Sequence, residues 1–366
     1  MKKLLFLSNG HGEDLVAAAL IKKLSSQTEI TVMPLVGEGE AFADLGVNII
    51  GPRKSLPSGG FSLRNIWFLA KDLLAGLGSN TFSQIAALKS LRGKIDLTIA
   101  IGDIVPIIGA LTVKAPFLFV GVNKSNYYKW FGFNYTPWEK QLLASYAKKV
   151  FVRDKITQID LTTRGIKVSS AEYVGNPLMD CIDKMSNVKS CLPAGRCQMS
   201  NEGIVIIGLL PGTREDAKIN LEDLGKVAEE INRMKKLSIP IKFITATALD
   251  NLPVGIEKKS FAEVLSSADL VIGLSGTGNE QAAGSGKPVV SFYGRGSQYN
   301  KKFAEAQKQL LGTALDLVRD RNPICVAAEV WQLLRNPEKM AAMGKAGQAR
   351  MGKPGAIEKI AAYVKE

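Results

Sequence analysis

The chain has 366 residues, 46% of them hydrophobic, and its 47 Lys and Arg against 34 Asp and Glu give a formal net charge of +13. That length exceeds what one core usually fills and predicts two α/β domains of about 170 residues each, while four cysteines without CxxC spacing and a single histidine argue against a structural zinc site. The basic balance draws polyanions or an anionic membrane face.

In chain order, apolar runs at 4–8, 30–34, 97–101, 117–120 and 149–152 predict strands, and the spacing predicts helices over 14–24, 66–77, 82–91 and 139–146. The opening basic pair and short apolar run are broken by polar residues too soon for a signal peptide. With no uncharged apolar run of about 18 residues, a cytoplasmic protein is expected. A strand-like stretch at 171–175 closes the first half, and 183–202 reads as a linker rich in turn formers. The pattern then restarts. Strands are expected at 204–209, 241–245, 270–273, 288–293 and 314–318, with helices at 221–236, 261–267, 324–334 and 337–351. Near-continuous apolar strands alternating with helices predict parallel sheets covered on both faces.

The densest site signal is DLVIGLSGTGNEQAAGSGKPVVSFYGRG, residues 269–296. An apolar strand enters a turn of small residues at Ser275, Gly276 and Thr277, and a short Ala-rich helix follows. This presents backbone N–H groups, hydroxyls and a helix N-terminus to a phosphate or sugar. Glu280 and Gln281, placed in the first helical turn, are candidates for ribose hydroxyls. Helix capping and dipole compensation by Glu280 is the rival reading. Earlier, IGLLPGTREDA ends a strand in Pro211, Gly212, Thr213 and Arg214, where N–H groups, a hydroxyl and a bidentate guanidinium suit a diphosphate. Gln298 and Asn300 follow the 288–293 strand as sugar-hydroxyl partners or turn formers.

In the first half, LSNGHGED (7–14) lacks GxGxxG spacing, so it is a weak dinucleotide fingerprint. Its His11 is the only histidine and suits a general base, with Glu13 and Asp14 as alternative bases or caps. Asp103 emerges after the 97–101 strand and is the second base candidate, or else the N-cap of a helix beginning near Val105.

Seven aromatics crowd 127–138, namely Tyr127, Tyr128, Trp130, Phe131, Phe133, Tyr135 and Trp138, in a chain with 4 Trp, 8 Tyr and 14 Phe. Lysines border them, and Trp67 with nearby basic residues extends the patch. Aromatic bodies with cationic neighbours suit a lipid headgroup layer, so a peripheral position on the inner membrane face is expected. Domain core is the rival. Without RRM, KH or zinc-finger spacing, no nucleic-acid partner is expected. A homo-oligomer stays open.

These motifs, with VGNPLMD (174–180), PGTR (211–214) and SGTGNEQAAGSGKPVV (275–290), resemble the two-domain GT-B glycosyltransferases, specifically lipid-A-disaccharide synthase and the cyanobacterial group related to it. The resemblance spreads from Ser8 to Asn300. It implies an α/β GT-B fold of two Rossmann-like domains with parallel sheets facing across a cleft. Residues 1–174 would form an acceptor domain, 175–350 a nucleotide-sugar donor domain, and 351–366 a C-terminal helix packing back on the first. The implied reaction is inverting and metal-independent, with no cofactor, and moves a sugar from a nucleoside-diphosphate donor, UDP-sugar favoured, to a lipid or lipid-linked acceptor. A nucleotide-sugar epimerase of the same fold and a non-catalytic sugar-nucleotide binder are the alternatives. By the resemblance Arg214 inherits the nucleotide-sugar arginine, and Asp103 matches the family's essential aspartate. Two departures stand out: Gln281 occupies the register of the nucleotide-binding glutamate with Glu280 beside it, and GHGED replaces the family's Gly, Ser and Asp arrangement.

Overall fold

The computed structural model describes residues 1–24, 28–52, 77–129, 134–182, 203–213, 215–234 and 240–366. The expected linker over 183–202 and all but the last residue of the expected helix over 66–77 lie outside them. The chain forms two compact units, Met1–Cys181 with Pro354–Glu366, and Ile182–Lys353.

The first unit runs β1 (Lys2–Ser8), α1 (His11–Ile21), β2 (Thr28–Pro34), β3 (Asn48–Ile49), α2 (Leu77–Ser90), β4 (Leu97–Gly102), α3 (Ile104–Val113), β5 (Phe117–Gly121), α4 (Pro137–Tyr146), β6 (Ala147–Phe151), α5 (Lys155–Thr163) and β7 (Ala171–Glu172). Its seven strands lie in the order β3-β2-β1-β4-β5-β6-β7, all parallel. Helices cover both faces, so β4 and β5 are buried along their whole length, and Leu4 to Leu7, Ile99 to Ile101 and Phe119 form the centre.

The second unit runs β8 (Val205–Leu210), α6 (Ala217–Met234), β9 (Ile241–Thr245), β10 (Ile256–Lys258), α7 (Phe261–Ser267), β11 (Leu270–Gly273), α8 (Gly276–Gly284), β12 (Val289–Phe292), α9 (Lys301–Leu311), β13 (Leu315–Val318), α10 (Pro323–Leu334) and α11 (Pro337–Met351). Its six parallel strands lie in the order β10-β9-β8-β11-β12-β13. In each sheet the order reverses beside the first strand, between β1 and β4 and between β8 and β11. Open α/β sheets bind ligands outside the carboxyl ends of the strands at this switch point. Both candidate sites descend from that geometry.

The last helix, α12 (Ala356–Lys365), belongs to the first unit. Asp180, the end of VGNPLMD, caps it: Oδ1 accepts from Gly355 N at 2.5 Å and Oδ2 from Ile357 N at 3.0 Å. Lys2 Nζ donates to Val364 O, and Tyr363 meets Phe151 edge-on with ring centroids 5.7 Å apart. Two donors of a helix end that has no cap of its own thus depend on one carboxylate. Asp180→Ala is expected to lower stability by about 1–2 kcal/mol, read from urea unfolding, whereas Asp180→Asn retains an acceptor and should lose less. Among the described residues no helix is long and apolar enough to cross a membrane.

Candidate functional site

In the first unit β1 ends at Ser8, and Gly10 starts α1, so the helix begins three residues before the expected boundary. His11 is therefore its exposed first residue and not a loop residue. Glu13 and Asp14 fall in the first turn, where acids suit the helix dipole, yet both are buried. Glu13 lies over two glycines. A Cβ on Gly10 would sit 3.3 Å from its Oε2, and one on Gly102 would sit 3.2 Å from its Cγ, with φ values of +133° and +131°. Side chains at either position would be strained and would displace the carboxylate. Asn123, after β5, donates to Glu13 Oε1.

Asp103 stands at the end of β4, across the switch point from Asn9 at the end of β1. Asn9 Nδ2 donates to Asp103 Oδ1 at 2.8 Å, and the same oxygen accepts from Val105 N at 3.0 Å, capping α3. The two roles weighed for Asp103 are thus compatible: it caps a helix and still stands at the sheet's carboxyl edge. Ser8, Asn9, Glu13, Asp14 and Asp103 gather there. Among the described residues, however, no three His, Cys, Asp or Glu side chains converge as metal ligands.

Burial pushes the Asp14 carboxyl from 3.8 up to about 7, partly offset by the Ser8 hydroxyl that donates to it. A carboxyl more basic when folded than unfolded favours the protonated native state. Its stabilising contribution is full below about 3.8 and is lost as pH rises toward 7. Asp14→Asn removes that dependence. Urea unfolding from about pH 4 to about pH 8 should show the variant gaining on the parent as pH rises, by up to roughly 4 kcal/mol.

In the second unit the two phosphate-friendly turns end neighbouring strands. Pro211, Gly212 and Thr213 follow β8, and Ser275, Gly276 and Thr277 follow β11, whose pairing with β8 continues through Leu274 N donating to Leu210 O at 2.9 Å. Ser275 is the N-cap of α8, its Oγ accepting from Gly278 N at 3.2 Å. Gly276 and Thr277 hence contribute the first N–H groups of a nine-residue helix, the arrangement that receives anions. Arg214 lies outside the described residues.

The helix starts earlier than expected, which moves Glu280 and Gln281 into its second turn. Both are buried, and Glu280 Oε1 accepts from Gln307 Nε2 of α9 at 3.1 Å. Asn300 is the N-cap of α9, its Oδ1 accepting from Phe303 N and its Nδ2 donating to Ser297 O, so its amide serves the chain's own backbone. The loop after β12 is tied to the segment after β8, because Gln298 N donates to Asp216 Oδ2 at 2.6 Å. Tyr299 locks that loop further, its hydroxyl accepting from Asn279 Nδ2 and from Ser291 Oγ. Burial raises the Tyr299 phenol far above its usual value, so it stays neutral.

No protein-family model and no curated protein matches this chain. Solved structures do. Staphylococcus aureus MnaA with UDP is 16% identical over 100% of this chain and 96% of its own, with a TM-score of 0.66. Neisseria meningitidis UDP-GlcNAc 2-epimerase bound to UDP-GlcNAc is 15% identical over 99% of each chain, at 0.63. The spinosyn rhamnosyltransferase SpnG with thymidine diphosphate is 12% identical over 100% of each, at 0.62. The fold is GT-B.

The aromatic run divides. Tyr128 is 5% exposed, as is Tyr135, so Tyr128 is core and not a lipid contact. Tyr127 is half-buried and Trp138 is 52% exposed. Trp67, Trp130 and Phe131 lie outside the described residues. Asn9, Asn123, Asp216 and Asn220, which tie the site loops together, carry no sequence motif. Their only advance signal is position just after a strand or in the first turn after a Gly-rich loop.

Proposed function

We propose that this chain is an inverting glycosyltransferase that moves a sugar from a nucleoside-diphosphate donor, UDP-sugar favoured, to a lipid or lipid-linked hydroxyl at a membrane surface. The observation carrying this reading is the pair of turns, Gly212–Thr213 and Ser275–Thr277, side by side at the switch point of the second sheet. One of them opens a helix. In this reading Asp103 takes the proton of the acceptor hydroxyl, with His11 as the other candidate base. The freed oxygen attacks the anomeric carbon from the face opposite the diphosphate, and the departing bond's electron pair passes to the diphosphate oxygen. Amides around Gly212, Thr213, Gly276 and Thr277, with the Arg214 guanidinium assigned on sequence, offset the charge that develops there.

The narrower likeness to lipid-A-disaccharide synthase rests on VGNPLMD, PGTR and the 275–290 motif. The membrane surface rests on the +13 charge together with Tyr127 and Trp138. A second reading, a nucleotide-sugar epimerase, is favoured by the fold likeness to the Neisseria enzyme. The two readings separate in one assay. Thermal shifts with UDP-, GDP-, TDP- and CDP-sugars select the donor, and products are then followed with and without a bacterial lipid extract. Transfer predicts nucleoside diphosphate and a glycosylated lipid only when lipid is present. Conversion of the sugar nucleotide without lipid would establish the epimerase instead, and an inert, tightly bound nucleotide would leave a binding protein.

A further inference from the structure

Asn220 stands in the first turn of α6 and is 3% exposed. Its Nδ2 reaches two carbonyls from different loops, Pro211 O at 2.9 Å and Leu274 O at 3.4 Å. Both belong to the peptide that enters a site turn: the Pro211 carbonyl shares its peptide with the Gly212 N–H, and the Leu274 carbonyl shares its peptide with the Ser275 N–H. No peptide bond in the described chain is cis, and in a trans peptide the N–H points opposite its C=O. By gripping both carbonyls from one side, one amide turns both N–H groups away from itself, at the carboxyl edge of β8 and β11.

Asn220 is held in place for this. Its own N–H donates to Asp216 O at 2.9 Å, and the Asp216 side chain in turn holds the Gln298 N–H. Among the described residues its Oδ1 is buried with no hydrogen-bond partner. Flipping the amide would not relieve this, since it would set oxygen against two carbonyl oxygens. Packing alone gives no reason to keep such an acceptor, because an orphaned buried polar atom is costly.

We infer that Asn220 is a positioning residue that aims the Gly212 and Ser275 N–H groups at the diphosphate of the donor. The inference rests on the donor reading of this site. The two carbonyls accept from the side-chain amide, which polarises both peptides and makes their N–H groups better donors toward an anion. Asn220 touches no phosphate itself.

Calorimetry of UDP, inorganic pyrophosphate and uridine against the parent, Asn220→Ala, Asn220→Ser and Asn220→Asp tests this. Asn220→Ala should weaken UDP and pyrophosphate by roughly 10-fold or more, since hydrogen bonds to a charged ligand are lost, and should leave uridine unchanged. Asn220→Asp should lose more, placing a carboxylate against two carbonyls near the diphosphate. Asn220→Ser retains a donor and a smaller volume, which gives a folded comparison if the alanine variant is unstable. Equal losses for UDP and uridine would mark a merely structural residue and overturn the inference alone, as would unchanged UDP affinity in a folded variant. A parent protein that binds neither UDP nor pyrophosphate would remove the donor reading and the inference with it.

Discussion

Under the proposed transferase reading, Asp103→Asn is expected to cut sugar transfer by about 100- to 10,000-fold while nucleotide affinity stays where it was. The substitution isolates one property. Asp103 Oδ1 accepts from Val105 N and from Asn9 Nδ2, and an asparagine oxygen at that position accepts from both. Asparagine is also as good an N-cap as aspartate, so α3 should keep its start and the fold its stability. What disappears is the carboxylate's capacity to take a proton. Steady-state turnover with the donor selected by thermal shift gives the answer, with UDP affinity measured in parallel. His11→Asn, on the exposed first residue of α1, should cost less than about 10-fold if Asp103 is the base. The reverse ranking would transfer the role to His11, and equal modest losses would leave neither as the base. Asn9→Leu should fall between, because it removes the neighbour that orients the carboxylate while leaving the base.

Legibility in the sequence followed the range of the interaction. Strands buried on both faces announce themselves as apolar runs, and 241–245 and 270–273 coincide with β9 and β11. Helix starts are set by caps that polar, Gly-rich sequence disguises. Gly10 and Ser275 begin α1 and α8 earlier than hydrophobic spacing suggests, since the first residues after each cap are small or polar. The same displacement carried Glu280 out of the first turn. Short edge strands such as Asn48–Ile49 and Ile256–Lys258 gain their identity from a neighbouring strand and hold too few residues to show a period.

The site divides along the same line. Glycine turns and the hydroxyl residues beside them are local signals, and Gly212, Ser275 and Asp103 stand at strand ends as expected. The ties between loops are not local. Asn9 meets Asp103 across 94 residues, and Asn220 meets Leu274 across 54, so no window of sequence contains both partners. Tyr128 shows the converse case. Local composition groups it with exposed aromatics, and only the tertiary fold separates a buried ring from Trp138 a few residues later.

Gly347→Val is expected to destabilise the second unit by about 3 kcal/mol or more and to weaken UDP binding in whatever remains folded. α11 passes α8 with backbone nearly on backbone. A Cβ on Gly347 would sit 2.7 Å from the carbonyl carbon and 3.0 Å from the Cα of Ala283, and one on Gly344 would sit 3.2 Å from the carbonyl carbon of Gly286. Ala283 belongs to α8 and Gly286 lies two residues past its end, so the obstruction is main chain that cannot rotate aside. The helix must move, and α8 is the element whose first turn supplies Ser275, Gly276 and Thr277. Stability and ligand binding are therefore coupled at a residue that belongs to neither turn. A loss of that size corresponds to a fall in Tm of roughly 6–12 °C for a domain of this length. Gly255→Asn serves as the comparison, because a Cβ there meets nothing and its φ of +81° is one that asparagine tolerates. That variant should remain within about 1 kcal/mol of the parent. A Gly347→Val protein with parental Tm and parental UDP affinity would mean that the two helices separate without cost, and the close approach would then play no part in holding the Ser275–Thr277 turn.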